Sequence, residues 1–443
     1  MEAEKKVQQE SSLICAGDAF ISKRLSVYKD ERFCSLMEKI QRADVSSVNL
    51  ETTIHHFDGY PIGEGKTDAY AQAEPYIADE LVWAGFDLVS QANNHAMDYS
   101  AGGLFATIEN LERVGLVHAG AGEDLAEARE PAYLETEKGI ISLISACTYN
   151  LGLASYPRKG LPGRPGINPL RIETAYELDP DSFKALKNIG QKMGILPSSV
   201  TDDTKEFSFL TRDKFRLSDQ SKVTRTLNKL DFEGNIKAVK EAKRLSDLVI
   251  FSLHDHSSAT KVTEGFKTRE VPCEPVGQFA HACVDSGTDV FIGHGPHVLR
   301  GIEVYKGKPI FYSLGNFAFQ STLITRQPSE LFERWGLDIN DSTADLYEKR
   351  ETPPNHFFDD AEYWESIIAE CTYEGQTLTE VRLYPITLGY DPGKPLRSQR
   401  TTAGVPRLAD GRHSGKILND LRRLSAPYGT AIDVKDNTGI IKI

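Results

Sequence analysis

Short apolar runs alternate along the chain with stretches whose apolar residues recur at helical spacing. The runs at 13–16, 45–50, 88–90, 140–146, 248–253, 290–292 and 310–313 are bounded by polar residues and read as buried strands. Between them, 31–41, 76–84, 103–114, 236–245 and 273–285 read as helices. That alternation predicts an α/β fold. Most strand candidates run straight into polar residues: Gly17-Asp18, Asn49-Leu50-Glu51, ANNHA at 92–96, HDH at 254–256 and GHGPH at 293–297. An α/β enzyme gathers its site in this way, from loops at one edge of its sheets.

Two stretches break the rhythm. Residues 151–231 are rich in Pro, Gly and charge, with a helical piece near 181–193, and 322–363 form an acidic, aromatic excursion. Strand patterns resume at 366–374 and 378–387, followed by a helix from 415 to 425 and an expected edge strand at 439–443. No linker composition bounds either stretch, so residues 11–443 read as a single domain with two insertions.

Composition narrows the chemistry. A chain of 443 residues with 40% hydrophobic content has enough apolar surface for a large core. Lys and Arg total 51 against 64 Asp and Glu, a net charge of −13, which disfavours binding to nucleic acid or a membrane surface by general attraction. An anionic substrate must then meet a local positive site, from metal ions or clustered arginines. The six cysteines are scattered without a CxxC pair, which predicts free buried thiols. The start, MEAEKKVQQESSLICAGD, is charged and only briefly apolar, so no leader or membrane span is expected there and a cytoplasmic location is.

Each motif has an ordinary reading beside a chemical one. Asp18 after Gly17 is a common metal ligand or base, yet the pair also occurs in many turns. Glu51 leaves a buried strand carrying a charge that needs a partner, or starts a surface turn. In ANNHAMD, Asn93, Asn94, His95 and Asp98 offer an oxygen ligand, a proton donor and a group to orient it, or a capped turn. His294 and His297 lie in one Gly- and Pro-containing loop that can aim both rings at one metal site. Five of the eleven histidines fall in these three loops. With Asp18, Glu51 and Asn94 they form a mixed nitrogen and oxygen set that suits Zn, Mn or Fe, and hydrolysis by ion-activated water is the natural chemistry.

The segments GDAF, SVNLE, FDLVSQANNHAMDYSAGGL, VHAGAG and IGHGPHVLRGIEVYKGKPIFYSLGNF resemble, in order and wording, the CapA family associated with poly-γ-glutamate. That family is related to the calcineurin-like metallophosphoesterases. The resemblance covers most of residues 11–320 and implies a four-layer α/β/β/α sandwich of the metallo-dependent phosphatase type. It further implies one or two divalent ions: Asp18 and His297 on the first, Glu51 bridging, and Asn94, His254 and His294 around the second. His95 matches the imidazole that protonates the leaving group, and Asp98 is placed to hold it. RPGINPLR at 164–171 also looks like family sequence, and Arg164 and Arg171 could fork onto an anionic substrate or lie in an ordinary solvated loop.

The chain departs from the phosphoesterase pattern in three places. Phe20 stands where Asp-x-His would put an imidazole, Glu51 stands for an Asp, and Asp255-His256 follow His254 where CapA-like proteins often show Trp and Gly. His256 either replaces the lost ligand or points to solvent, and the second is the expectation. Asn93, His256, Arg164 and Arg171 are the candidates for holding a small-molecule, peptide or polyglutamate substrate. Three functions follow: a metal-dependent hydrolase of a phosphoester or of a γ-glutamyl or related amide; a metal-free epimerase or isomerase with Asp18 and His297 as its acid/base pair; and a non-catalytic accessory of polymer synthesis.

Overall fold

In the computed structural model, which describes residues 10–63, 69–208, 214–351, 360–391, 394 and 396–443, the apolar runs become the strands of two stacked sheets. The charged residues 1–9 at the start of the chain lie outside the described residues. In the larger sheet Glu10–Phe20 is central. It runs parallel to Val45–Leu50, which is followed by Leu88–Ser90 and Val117–Ala119. On its other side it pairs antiparallel with Glu365–Glu374, beyond which lie Thr377–Thr387, Thr438–Lys442 and Asp433–Lys435. The second sheet is built on Gly139–Cys147, Leu248–His254, Val290–His294 and Lys308–Phe311, all parallel, with Ala132–Thr136 and Ile302–Tyr305 antiparallel at its edges.

Period-two alternation sorts the strand side chains into layers. Leu13 and Cys15 meet Ile141, Ile250 and Ile292 in an apolar cluster between the sheets. Ile14 and Ala16 point the other way, to Phe33 of helix Glu31–Arg42 and Ile77 of helix Tyr76–Ala84. Val249, Phe251 and Phe291 pack under Val239 of helix Lys229–Leu245 and Phe279 of helix Glu274–Ser286. The order helix, sheet, sheet, helix is the four-layer α/β/β/α sandwich. Strands covered on both faces read as unbroken apolar runs, which is why they stood out in the sequence.

Several boundaries move. The first strand runs past Ala16 to Phe20 because Asn316–Phe319 pairs with Asp18, Ala19 and Phe20. The strand at 439–443 is not at the edge: Thr438–Lys442 lies between Thr377–Thr387 and Asp433–Lys435. Residues 151–231 hold more than a helix. Ile172–Leu178, Glu206–Ser208, Lys214–Leu217 and Lys222–Leu227 form a separate four-stranded sheet beside helix Pro180–Lys192. A small aromatic core supports it, with Phe183 5.1 Å from Phe207 and Tyr176 stacked 5.0 Å from Phe215. Residues 209–213 within this stretch, and 352–359 within the second excursion, lie outside the described residues. Among the described residues no helix is long and apolar enough to cross a membrane, and all six cysteines are free.

Candidate metal centre

Strand register assembles the site. Asp18 is the register partner of both Asn49 and Asn316, Asn49 is the partner of Ser90, and His254 is the partner of His294 in the second sheet. The motif residues therefore line up at the carboxyl ends of parallel strands, where α/β sheets bind ligands. The two sheets meet there: Nδ1 of His294 lies 3.1 Å from Oδ1 of Asp18. Two glycines permit the approach. A Cβ on Gly17 would stand 1.9 Å from the carbonyl oxygen of Gly315, and Gly295, at φ +106°, donates its N–H to Oδ2 of Asp18 at 2.9 Å.

Asp18 is fully buried and also accepts from Nδ2 of Asn49 at 2.8 Å. Burial pushes its carboxyl up, but the imidazoles of His294, His254 and His297 outweigh burial and hold it well below the usual carboxylate range. Asn49 makes four contacts. Nδ2 also donates to Nδ1 of His254 at 3.2 Å, and Oδ1 accepts from Ser90 Oγ at 3.2 Å and Asn93 Nδ2 at 3.3 Å. Neutral His254 therefore carries its proton on Nε2, which faces Nε2 of His256 at 3.0 Å and Oε1 of Glu51 at 3.5 Å. Burial first, then the neighbouring His256, keeps the His254 pKa well below its ordinary value.

Glu51 is the anomaly. It is fully buried, and neither carboxylate oxygen has a hydrogen-bond partner. Burial, with the charges of Asp18 and Asp98, pushes its pKa well above the ordinary value. A buried carboxylate in this state calls for a proton or a cation. Around it stand imidazoles: Nδ1 of His297 is 3.7 Å away, and Glu51, His256 and His297 each offer one ligand atom, all within 4.8 Å of one another. His297 adopts φ +58°, an uncommon conformation for histidine, and its Nδ1 donates to Oδ1 of Asn316 at 2.8 Å. Oδ1 of Asn94, the residue before His95, is a second buried acceptor without a hydrogen-bond partner. One buried carboxylate, an amide oxygen and clustered imidazoles fit a borderline ion of the Zn, Mn or Fe kind.

Beside this cluster His95 is buried, with Nδ1 2.7 Å from Oδ2 of Asp98. Burial raises the Asp98 pKa, against the opposing pull of His95. Phe20 presents an apolar ring edge-on to His95 at 5.3 Å.

Residues 12–321 match the family described as Bacterial capsule synthesis protein PGA_cap. The chain belongs to this family. Among the relatives of this chain, an uncharacterized protein of Sinorhizobium fredii is 34% identical over 98% of this chain and 93% of its own length. The PGA biosynthesis protein CapA of Bacillus subtilis is 25% identical over 82% of this chain and 77% of its own. A probable polyglutamine synthesis accessory protein of Mycobacterium tuberculosis is 27% identical over 62% of this chain and 55% of its own.

In this family member Asp18, Glu51, His254, His256, His294 and His297 converge, and His95 with Asp98 stands alongside. His256 corrects the expectation that it points away. More than a third of its surface is open, but its Nε2 turns inward to His254, and its ring lies 5.6 Å from that of His297. Asn93 is engaged inward, donating Nδ2 to the carbonyl of Leu50 at 2.7 Å and accepting the His95 N–H at 3.1 Å. It positions the loop. Arg171 forks onto buried Asp231 at 2.6 and 2.9 Å, so its guanidinium acts as a structural pin at the helix that begins at Lys229. Arg164 is exposed and gives Nε to the carbonyl of Leu153 at 2.8 Å.

Three residues were given no role in the sequence reading. Asn49 sits in the NLE motif, Asn316 in the SLGNF segment and Arg300 just after GHGPHV, so all three lay inside segments already singled out. Arg300 is fully buried and pairs with Asp255 at 3.2 Å, which fixes the HDH loop.

Proposed function

We propose that the chain is a metal-dependent hydrolase of the capsule synthesis family, acting on a phosphoester or on a γ-glutamyl or related amide, with His95 as general acid. The observation that carries this reading is Glu51: a buried carboxylate with two unpartnered oxygens, ringed by imidazoles. When bound, a divalent ion there supplies neutralisation of developing negative charge and an activated water. The chain does the rest. Asp98 holds Nδ1 of His95, which leaves Nε2 as the nitrogen that can carry a proton to a leaving group. Asn49 and the Gly295 N–H hold the Asp18 carboxylate at the floor of the site. Relatives named for PGA biosynthesis and polyglutamine synthesis make poly-γ-glutamate or a fragment of it the first substrate class to try.

Proton transfer by Asp18 and His297 is less well supported, because a carboxyl held well below its usual range is a weak base. The deciding experiment measures hydrolysis of phosphate monoesters and diesters and of γ-glutamyl peptides by metal-loaded protein, with chelator and His95→Ala as controls. Turnover that chelator removes and His95→Ala reduces supports the hydrolase. Turnover that survives chelation overturns metal dependence, and a biological role in polymer synthesis that survives both His95→Ala and Asp18→Asn points to an accessory without catalysis.

A further inference from the structure

Phe20 leaves the site one imidazole short of the phosphoesterase pattern, and the HDH loop adds one. We infer that His256 restores the ligand: the geometry points to Glu51, His256 and His297 as the ligands of one divalent transition-metal ion, with His254 held back as a hydrogen-bond donor. This rests on the metal-dependent reading above and changes which imidazoles carry it.

The hydrogen bonds decide which nitrogens have lone pairs. At His297, Nδ1 faces Oδ1 of Asn316, whose own Nδ2 donates to the carbonyl of Tyr363 at 3.1 Å. The Asn316 oxygen can only accept, so His297 carries its proton on Nδ1 and presents Nε2 as a ligand. At His254 the assignment is reversed. Asn49 gives an N–H to Nδ1, and its amide cannot turn over without setting its oxygen against the Asp18 carboxylate 2.8 Å away. The proton of His254 therefore lies on Nε2, and a protonated nitrogen does not bind a metal. That N–H points at Nε2 of His256, 3.0 Å away, so His256 has its lone pair there.

Distances agree. Ligand atoms about 2.0–2.2 Å from one ion lie roughly 3–4 Å apart. Glu51, His256 and His297 each have a potential ligand atom within 4.8 Å of those of the other two, so a small rearrangement of the rings brings the three residues onto one ion. As His256 turns its lone pair to the ion, the His254 N–H still has Oε1 of Glu51 at 3.5 Å. The loop is preset for this. Asp255 is locked by Arg300 and gives its backbone N–H to the carbonyl of His294 at 2.8 Å, so His256 is held at the mouth of the site with one side open for an entering ion.

The test is titration calorimetry of chelator-stripped, full-length protein with Zn²⁺ and Mn²⁺, with elemental analysis of the loaded form. We expect one ion per chain. His256→Ala should weaken binding by more than about a hundredfold, whereas His254→Gln, which keeps a donor, should fall in the roughly tenfold to hundredfold range of an outer-shell change. Circular dichroism checks that each variant is folded, and His256→Gln serves as a second probe of the same position. Wild-type affinity in both His256 variants, or a larger loss in His254→Gln than in His256→Ala, overturns the assignment while leaving metal dependence in place. A wild-type chain that takes up neither ion overturns both.

Discussion

Nδ1 of His95 lies 2.7 Å from Oδ2 of Asp98, and the same oxygen accepts the backbone N–H of Ala71 at 2.7 Å. Asp98 thus ties the imidazole to a fixed stretch of backbone and sets its tautomer. Removing the carboxylate in Asp98→Ala frees the ring and leaves every proposed metal ligand in place, while taking away one of the charges that raise the Glu51 pKa. The expected outcome is a fall in turnover of roughly 10²–10⁴-fold, the range of a lost general acid, with metal content unchanged. Single-turnover kinetics on metal-loaded protein checks this. Full turnover in the variant would remove His95 from the reaction.

Glu51→Gln should act with opposite signs on binding and on stability. The wild-type carboxylate is buried without hydrogen-bond partners, so in chelator the neutral amide should stabilise the fold by about 1–3 kcal/mol. The same change deletes the anionic ligand, so metal uptake should disappear. Urea denaturation in chelator at neutral pH, beside elemental analysis, reads both effects, and a destabilised variant would show that Glu51 has a partner the geometry does not reveal.

Stability of the metal-free protein should depend on pH through the same groups. His254 and His297 have folded-state pKa values below the ordinary 6.5, because burial disfavours their charged forms. Below about pH 6.5 the unfolded chain binds protons that the folded chain refuses, so stability falls as pH drops through that window. Glu51 opposes this. Its raised pKa means that the folded chain holds a proton the unfolded chain has released above about pH 4.5, so its contribution falls as pH rises. Melting in chelator from pH 7.5 to 5 should show a declining Tm in the wild type, a shallower decline in His254→Gln and a steeper one in Glu51→Gln. Equal slopes in all three would mean that other groups control the acid limb.

The architecture was legible because its strands are buried on both faces, and the five strand-end motifs were legible because polar residues interrupt those runs abruptly. What stayed hidden had no such contrast. The strands Lys214–Leu217 and Lys222–Leu227 are short and carry Lys, Arg and Thr on a small exposed sheet, so too few apolar residues mark them. Asn49 was overshadowed by the charge of Glu51 two residues on, although only a carboxamide can donate to Asp18 and His254 while accepting from Ser90 and Asn93. Whether an arginine meets substrate or an aspartate depends on a partner distant in sequence. Arg171 finds Asp231, and a reading of its own segment cannot show that.

Arg300 offers the sharpest test of how the HDH loop is held. Its side chain is 1% exposed, and it gives Nη1 to Asp255 Oδ2 at 3.2 Å, Nε to the carbonyl of Arg269 at 2.9 Å and Nη2 to the carbonyl of Ser257 at 2.5 Å. Arg300→Met keeps the volume but leaves the buried Asp255 carboxylate without its cation, a change expected to cost about 3–5 kcal/mol. Asp255 would keep its bonds from Thr148 Oγ1 at 2.8 Å and the Ser257 N–H at 3.1 Å, so the loop should loosen and the chain should still fold. Pairing Arg300→Met with Asp255→Asn removes both charges together and should recover part of the loss. A double-mutant cycle by urea denaturation measures the coupling, and single-variant losses that simply add would show that the pair does not act as a unit. If His256 is set by this loop, metal affinity should fall in Arg300→Met, while the dyad of His95 and Asp98, which takes its backbone anchor from Ala71, keeps its geometry.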